Sequence, residues 1–208
     1  MNLIENAKDL FTDWKAALTT GLLQFLVLPT ILVDGFIVRL CEKTIQREKG
    51  LPNYSEILKF LKQGLIFRII QFLYLLPVIL LFIILSFLIP KNISPLDKVS
   101  AVPFYVFLLA ILILILLFLV WLLFPFAIVL YAENMTFEDA FNFNKIFSFI
   151  LIKWKSIIVI RLISILLFFI FLFVIPFLNL FSFIFLAFQR AYIYKNLSSL
   201  YSDFLNGE

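Results

Sequence analysis

The chain has no histidine, one cysteine, Cys41, and five glycines among its 208 residues. Without histidine there is no imidazole to ligate zinc or haem, and none to act as the base beside a serine or cysteine nucleophile. A single thiol closes no internal disulfide. Charge is scarce as well: 14% of residues are charged, against about 25% in soluble domains. No glycine-rich phosphate loop occurs, and no paired carboxylates share an apolar helical run. The sequence therefore reads as a non-enzyme that calls for no metal and no cofactor.

Apolar residues fill the space that charge leaves. They make up 64% of the chain, including 28 phenylalanines. Residues 69–89, 104–131 and 162–188 each pass without a charged side chain. A helix needs about 20 mainly apolar residues to cross about 30 Å of hydrocarbon, so these runs predict an all-α integral membrane protein. Glu5, Asp9 and Asp13 precede the first apolar stretch and no small-residue cleavage site follows it, which argues against a signal peptide. With no long hydrophilic stretch, residues 1–208 read as a single membrane domain.

Periodicity and punctuation divide the chain further. Residues 2–15 place Leu3, Ala7, Leu10 and Trp14 on one stripe, the pattern of an interfacial amphipathic helix. Residues 16–40 are apolar but interrupted by Gln24, Pro29, Asp34 and Arg39, and fit either a re-entrant hairpin or a fifth span. A second interfacial helix is expected over 53–64, capped by Asn53, and a third over 136–150, capped by Thr136. Four full transmembrane helices are expected over 65–89, 104–130, 156–175 and 177–194, with 196–208 as a polar tail. Pro29, Gly35, Pro77, Pro176 and Asn179 are the expected hinges and turns.

Trp14-Lys15 and Trp154-Lys155 each precede a proline-interrupted apolar region, an internal echo that favours the hairpin for 16–40. Charge bias points the same way. With a hairpin there, Lys8, Lys15 and the basic residues of the later connectors share one side, and only Lys91 and Lys98 lie on the other. By the positive-inside rule that side is cytoplasmic, giving a multi-pass cell-membrane protein with a cytoplasmic C-terminus. The excess of 17 Lys and Arg over 13 Asp and Glu then belongs to membrane flanks rather than to a nucleic-acid interface.

Ionisable residues at membrane depth are costly and mark sites. Asp34 and Arg161 form the candidate intramembrane pair, whereas Arg68, Glu133 and Arg190 sit near span ends as anchors. Lys43, Arg47, Lys49, Lys59 and Lys62 are the candidate contacts for anionic lipid headgroups. The expected function is non-catalytic: organising the membrane, or binding lipid or a partner, with the bilayer, a second copy or another membrane protein as company. The alternative is a small-solute or ion transporter or channel that uses Asp34 and Arg161 in an oligomer.

Short stretches also carry a family likeness. They are Gly35-Phe36-Ile37-Val38-Arg39, Leu51-Pro52, Phe60-Leu61-Lys62-Gln63-Gly64-Leu65 and Tyr74-Leu75-Leu76-Pro77, followed by Pro125, Tyr131-Ala132 and Ala140-Phe141. Over most of its length the chain resembles a prokaryotic, mainly archaeal, multi-pass membrane family, the domain of unknown function 4013. The family often has tyrosine where Phe36 stands and an acidic residue where Gln63 stands. The resemblance implies an integral membrane protein and no assigned activity.

Overall fold

The computed structural model describes residues 27–48, 50–52, 57–88, 104–174 and 182–207. The expected helix at 2–15, the first part of 16–40, Lys49, Asn53, Pro176 and Asn179 lie outside those residues. What is described is helical: α1 (Val27–Ile45), α2 (Ile57–Leu88), α3 (Phe104–Asn134), α4 (Phe143–Val174) and α5 (Ser182–Leu205). One 3-10 turn, Asp139–Phe141, stands between α3 and α4. Two stretches, Ile57–Phe87 and Val106–Asn134, are long and apolar enough to cross a membrane by length and composition.

Several expected boundaries move. Residues 53–64 and 65–89 were separate by pattern, yet Ile57 to Leu88 is one helix running through Pro77. Pro29 lies among the helical residues of α1. It therefore makes no turn, and α1 continues past the expected limit at 40 to Ile45. The polar tail at 196–208 is instead helical to Leu205, with Asn196, Leu197, Ser198, Leu200 and Tyr201 buried. Its polar side chains bond back to the preceding turn, Asn196 to the Tyr192 carbonyl at 2.8 Å and Ser198 to the Tyr194 carbonyl at 2.8 Å. Polarity there satisfies a buried helix rather than carrying it into water.

Helix ends follow local chemistry. Arg47 takes a left-handed φ of 58°, and α1 closes on Arg47 N–H to the Thr44 carbonyl at 3.2 Å and Glu48 N–H to the Lys43 carbonyl at 2.9 Å. That is the Schellman arrangement, reached here without glycine. Asn142, not Thr136, caps α4: its side-chain oxygen accepts from Lys145 N–H at 3.1 Å. Within α4, Lys153 departs from helical geometry (φ −106°, ψ 16°), which kinks the helix between its first ten residues and the rest. Residues 143–150 and 156–174, expected to belong to separate helices, are thus parts of one helix kinked at Lys153.

The described residues form two compact units. One spans residues 69–124 and contains most of α2 and α3, where the Tyr74 and Phe124 rings meet edge to face at 6.1 Å. Most of its large side chains, among them Phe72, Phe82, Phe87, Phe107, Leu114 and Phe118, are exposed. The other unit takes residues up to Arg68 and from Pro125 onward. In it α5 packs against both α1 and α4, and Phe36, Leu40, Phe60, Ala191 and Tyr192 form a core.

Within that second unit α1 and the start of α2 touch backbone to backbone. A Cβ placed on Gly35 would lie 1.9 Å from the Phe60 carbonyl oxygen, and one on Gly64 would lie 1.8 Å from the Ile31 carbonyl oxygen. Each glycine faces the residue four places before the other, so the crossing is reciprocal. Gly35 is thus not the expected hinge but a contact point inside a helix, where only a hydrogen side chain lets the backbones meet.

Candidate functional site

The glycine crossing fixes what lies beside it. Asp34 precedes Gly35 on α1, and Arg68 stands one turn beyond Gly64 on α2. Bringing the two backbones into contact places Arg68 Nε 2.5 Å from Asp34 Oδ2. From α5, Arg190 Nη2 donates to the other oxygen, Oδ1, at 2.6 Å. The Arg68 contact is an ion pair without hydrogen-bond alignment at Oδ2. Asp34 therefore joins three helices, and the expectation that Arg161 is its partner gives way to Arg68 and Arg190.

Exposure is divided unevenly in this triad. The Asp34 side chain is 0% exposed, whereas those of Arg68 and Arg190 are 40% and 33% exposed. Two guanidiniums thus meet one buried carboxylate, and both arginine side chains stay partly exposed. Arg190 also lies over the Phe67 ring, 5.7 Å from its centroid, and Phe67 meets Tyr194 edge to face at 6.2 Å. The Phe67 ring face is thus a second neighbour of the Arg190 guanidinium.

Arg161 is buried on α4. It belongs to the same neighbourhood, because Tyr194 interacts electrostatically with Arg190, Cys41, Asp34 and Arg161. One turn further along α4, Ser164 accepts from Gln189 Nε2 through its carbonyl at 2.8 Å and its hydroxyl at 3.1 Å. The α4–α5 contact is thus fixed by a polar bond beside Arg190.

The candidate lipid contacts divide. Lys43 pairs with Glu48 at 3.8 Å, and Arg47 reaches Asp203 at 3.7 Å and the Ser202 hydroxyl at 3.4 Å. Lys59 and Lys62 stand exposed in the first turns of α2. Cys41 is fully buried in α1.

A second polar cluster, not foreseen from the sequence, joins α3, α4 and α5. Glu133 Oε2 accepts from Lys145 Nζ at 2.6 Å and from the buried Tyr201 hydroxyl at 2.7 Å. Lys145 also lies 5.6 Å from the Tyr201 ring centroid. Nearby in sequence, Asp139 accepts from the Thr136 hydroxyl at 2.5 Å and from Asn134 at 2.9 Å. Those two bonds, Thr136 first, hold the Asp139 carboxyl below its ordinary value. Neither cluster pairs a nucleophile with a base, and among the described residues no group of acidic residues and cysteine could hold a metal ion.

No curated protein and no solved structure matches the chain. Residues 18–180 match the family model described as "Protein of unknown function (DUF4013)", a range that includes the glycine crossing, Asp34, Arg68 and Arg161 but not Arg190, and the chain belongs to that family.

Proposed function

We propose that this is a non-catalytic multi-pass membrane protein that organises the bilayer by associating with anionic lipid. One observation carries the reading. The two long apolar helices leave their surfaces bare: 17% and 11% of the most apolar stretch of each is buried within the protein. A core helix of a soluble protein would be covered, whereas lipid tails cover such surfaces in a membrane. Residues 156–175 and 177–194 add the remaining spans in this reading. The α4 side chains Ile158, Leu162, Ile165, Leu166 and Phe169 are exposed in keeping with it.

Lys59 and Lys62 precede the apolar run of α2 and face outward, where anionic headgroups would attract them at about 1 kcal/mol each. A transport path through Asp34 would need water at a carboxylate that is 0% exposed. Reconstituted protein should recruit anionic over neutral lipid, and added salt should weaken the preference. Lys59→Gln with Lys62→Gln should weaken it too. Equal recruitment of both lipids by the unaltered protein would overturn the reading, as would solute flux abolished by Asp34→Asn.

A further inference from the structure

We infer that residues 143–152 of α4 lie in the membrane interface as a wedge that senses how loosely the lipid chains are packed, independently of headgroup charge. The inference rests on the membrane reading above and adds to it a property of the lipid.

Three observations converge. The first is how exposure changes along α4. From Ile158 to Phe169 every exposed side chain among the described residues is apolar, the surface expected where lipid tails surround a span. Before the kink at Lys153 the exposed surface is divided instead. Phe147 and Leu151, four residues apart, form one stripe, and Asn144 and Ser148 form another beside it. The stripes meet at the apolar Ile152, one residue before the kink. A surface apolar on one flank and polar on the other suits neither hydrocarbon nor water but the boundary between them.

The second is level. The span over 156–175 fills the hydrocarbon, which takes about 20 residues, so Phe147 and Leu151 precede it and the tails around the span do not cover them. Trp154 is exposed, and Lys155 Nζ lies 5.8 Å from its ring centroid. An aromatic ring beside a lysine marks the headgroup boundary, and the kink stands next to it.

The third is how the section is held. Phe149 meets the Tyr201 and Phe126 rings edge to face at 5.1 Å and 5.6 Å, and Lys145 binds Glu133 at 2.6 Å. The helix cannot roll, so Leu151, 74% exposed, stays turned away from the protein. Lys145 is also the one charged residue in 143–152, so the exposed stripes carry no charge to attract anionic headgroups. Insertion then depends on the apolar area that gaps in the bilayer admit, and tight packing closes those gaps.

The test uses the full chain in a Cys41→Ala background, reconstituted in neutral dioleoyl phosphatidylcholine with or without cholesterol, which tightens the packing. Nitroxide labels on Leu151→Cys, Ser148→Cys and Leu162→Cys report depth through their collisions with oxygen and with a water-soluble nickel chelate. The label at 151 should be immersed by about 5–10 Å, the depth of an interfacial apolar face, and the label at 148 should meet nickel freely. Cholesterol should lift the label at 151 to the aqueous boundary and leave the one at 162 in hydrocarbon. Phe147→Ser should lift the label at 151 without cholesterol. If that variant fails to fold, the two lipid compositions still decide the matter with Phe147 in place. Lys59→Gln with Lys62→Gln should leave the depth unchanged.

A label at 151 that meets nickel in the loose bilayer, with the one at 162 in hydrocarbon, would overturn the inference and leave the membrane reading standing. Depth at 151 that ignores cholesterol would overturn the sensing of packing. A label at 151 shielded from both reagents and broadened by a neighbouring label would overturn it too, by placing a second copy on the stripe. A label at 162 that meets nickel would instead defeat the membrane reading itself.

Discussion

Asp34 was visible in the sequence because a carboxylate in an apolar stretch is costly, but its partners were not. Arg161 looked deeper in its apolar region than Arg68 or Arg190, and depth along one segment says nothing about which helices cross. The pairing depends on Gly35 and Gly64 meeting, a relation between positions 29 residues apart. Asp34→Asn leaves two guanidiniums without their shared carboxylate and should destabilise by about 3 kcal/mol. That is the lower end for a broken buried pair, because both arginines reach the surroundings. Combining it with Arg190→Gln should give a total clearly below the sum of the single losses, measured by reversible unfolding in mixed micelles; strict additivity would refute the coupling. Asp139 gives a pH prediction in the connector. Its carboxyl is lowered by Thr136 and Asn134, so its stabilisation is present above the unfolded carboxylate value and is lost as pH falls through the lower folded value. Thr136→Val removes the larger cause, and the Asp139 titration followed by carboxyl-carbon NMR should move up toward the ordinary range.

At the scale of elements, apolar runs located the long helices well and polar residues misled about where they end. Cys41 to Ile45 and Asn196 to Leu205 look like connector and tail by composition, yet both are helical. Tertiary partners explain this: Cys41 and Tyr201 are buried, Ser202 bonds to the Ile45 carbonyl at 3.1 Å, and Tyr201 bonds to Glu133. Composition cannot anticipate such contacts between residues that lie 68 and 157 positions apart. The glycine crossing yields a sharp expectation. Gly35→Ala and Gly64→Ala each put a methyl group against backbone that cannot rotate aside, so the helices must part. Each should cost about 2–3 kcal/mol, near the upper range for overpacking, and the pair together less than twice that, since one separation relieves both. Thermal unfolding of the three variants in one detergent would measure it; a loss below about 0.5 kcal/mol for either, as at a neutral surface site, would show that the backbones do not touch.

For the whole molecule, composition announced an all-helical chain, while the division into units did not follow from any linker, because α2 and α3 each pass from one unit to the other without a break. Membrane orientation is open to direct test. Cys41 is too buried to report it, so reporter cysteines belong at exposed Gln46, Asn142 and Asn206 in a Cys41→Ala background. The basic connectors predict that all three react with an impermeant maleimide from one side of sealed vesicles, with Asn2→Cys sharing that side and Ser94→Cys reacting only from the other. Opposite labelling of Asn2→Cys and Gln46→Cys would make residues 16–40 a full span. The placement of α5 has a consequence for synthesis. Asp34 is made early and Arg190 late, 156 positions apart, so a growing chain carries its carboxylate without the Arg190 bond until α5 emerges. The unit that contains α1 can therefore close only near the end of translation, since domains otherwise fold as their segments appear. Ribosome-held chains halted at residue 180 should be cut by protease in 27–68 far faster than the released protein, and supplying α5 as a separate peptide should restore their resistance.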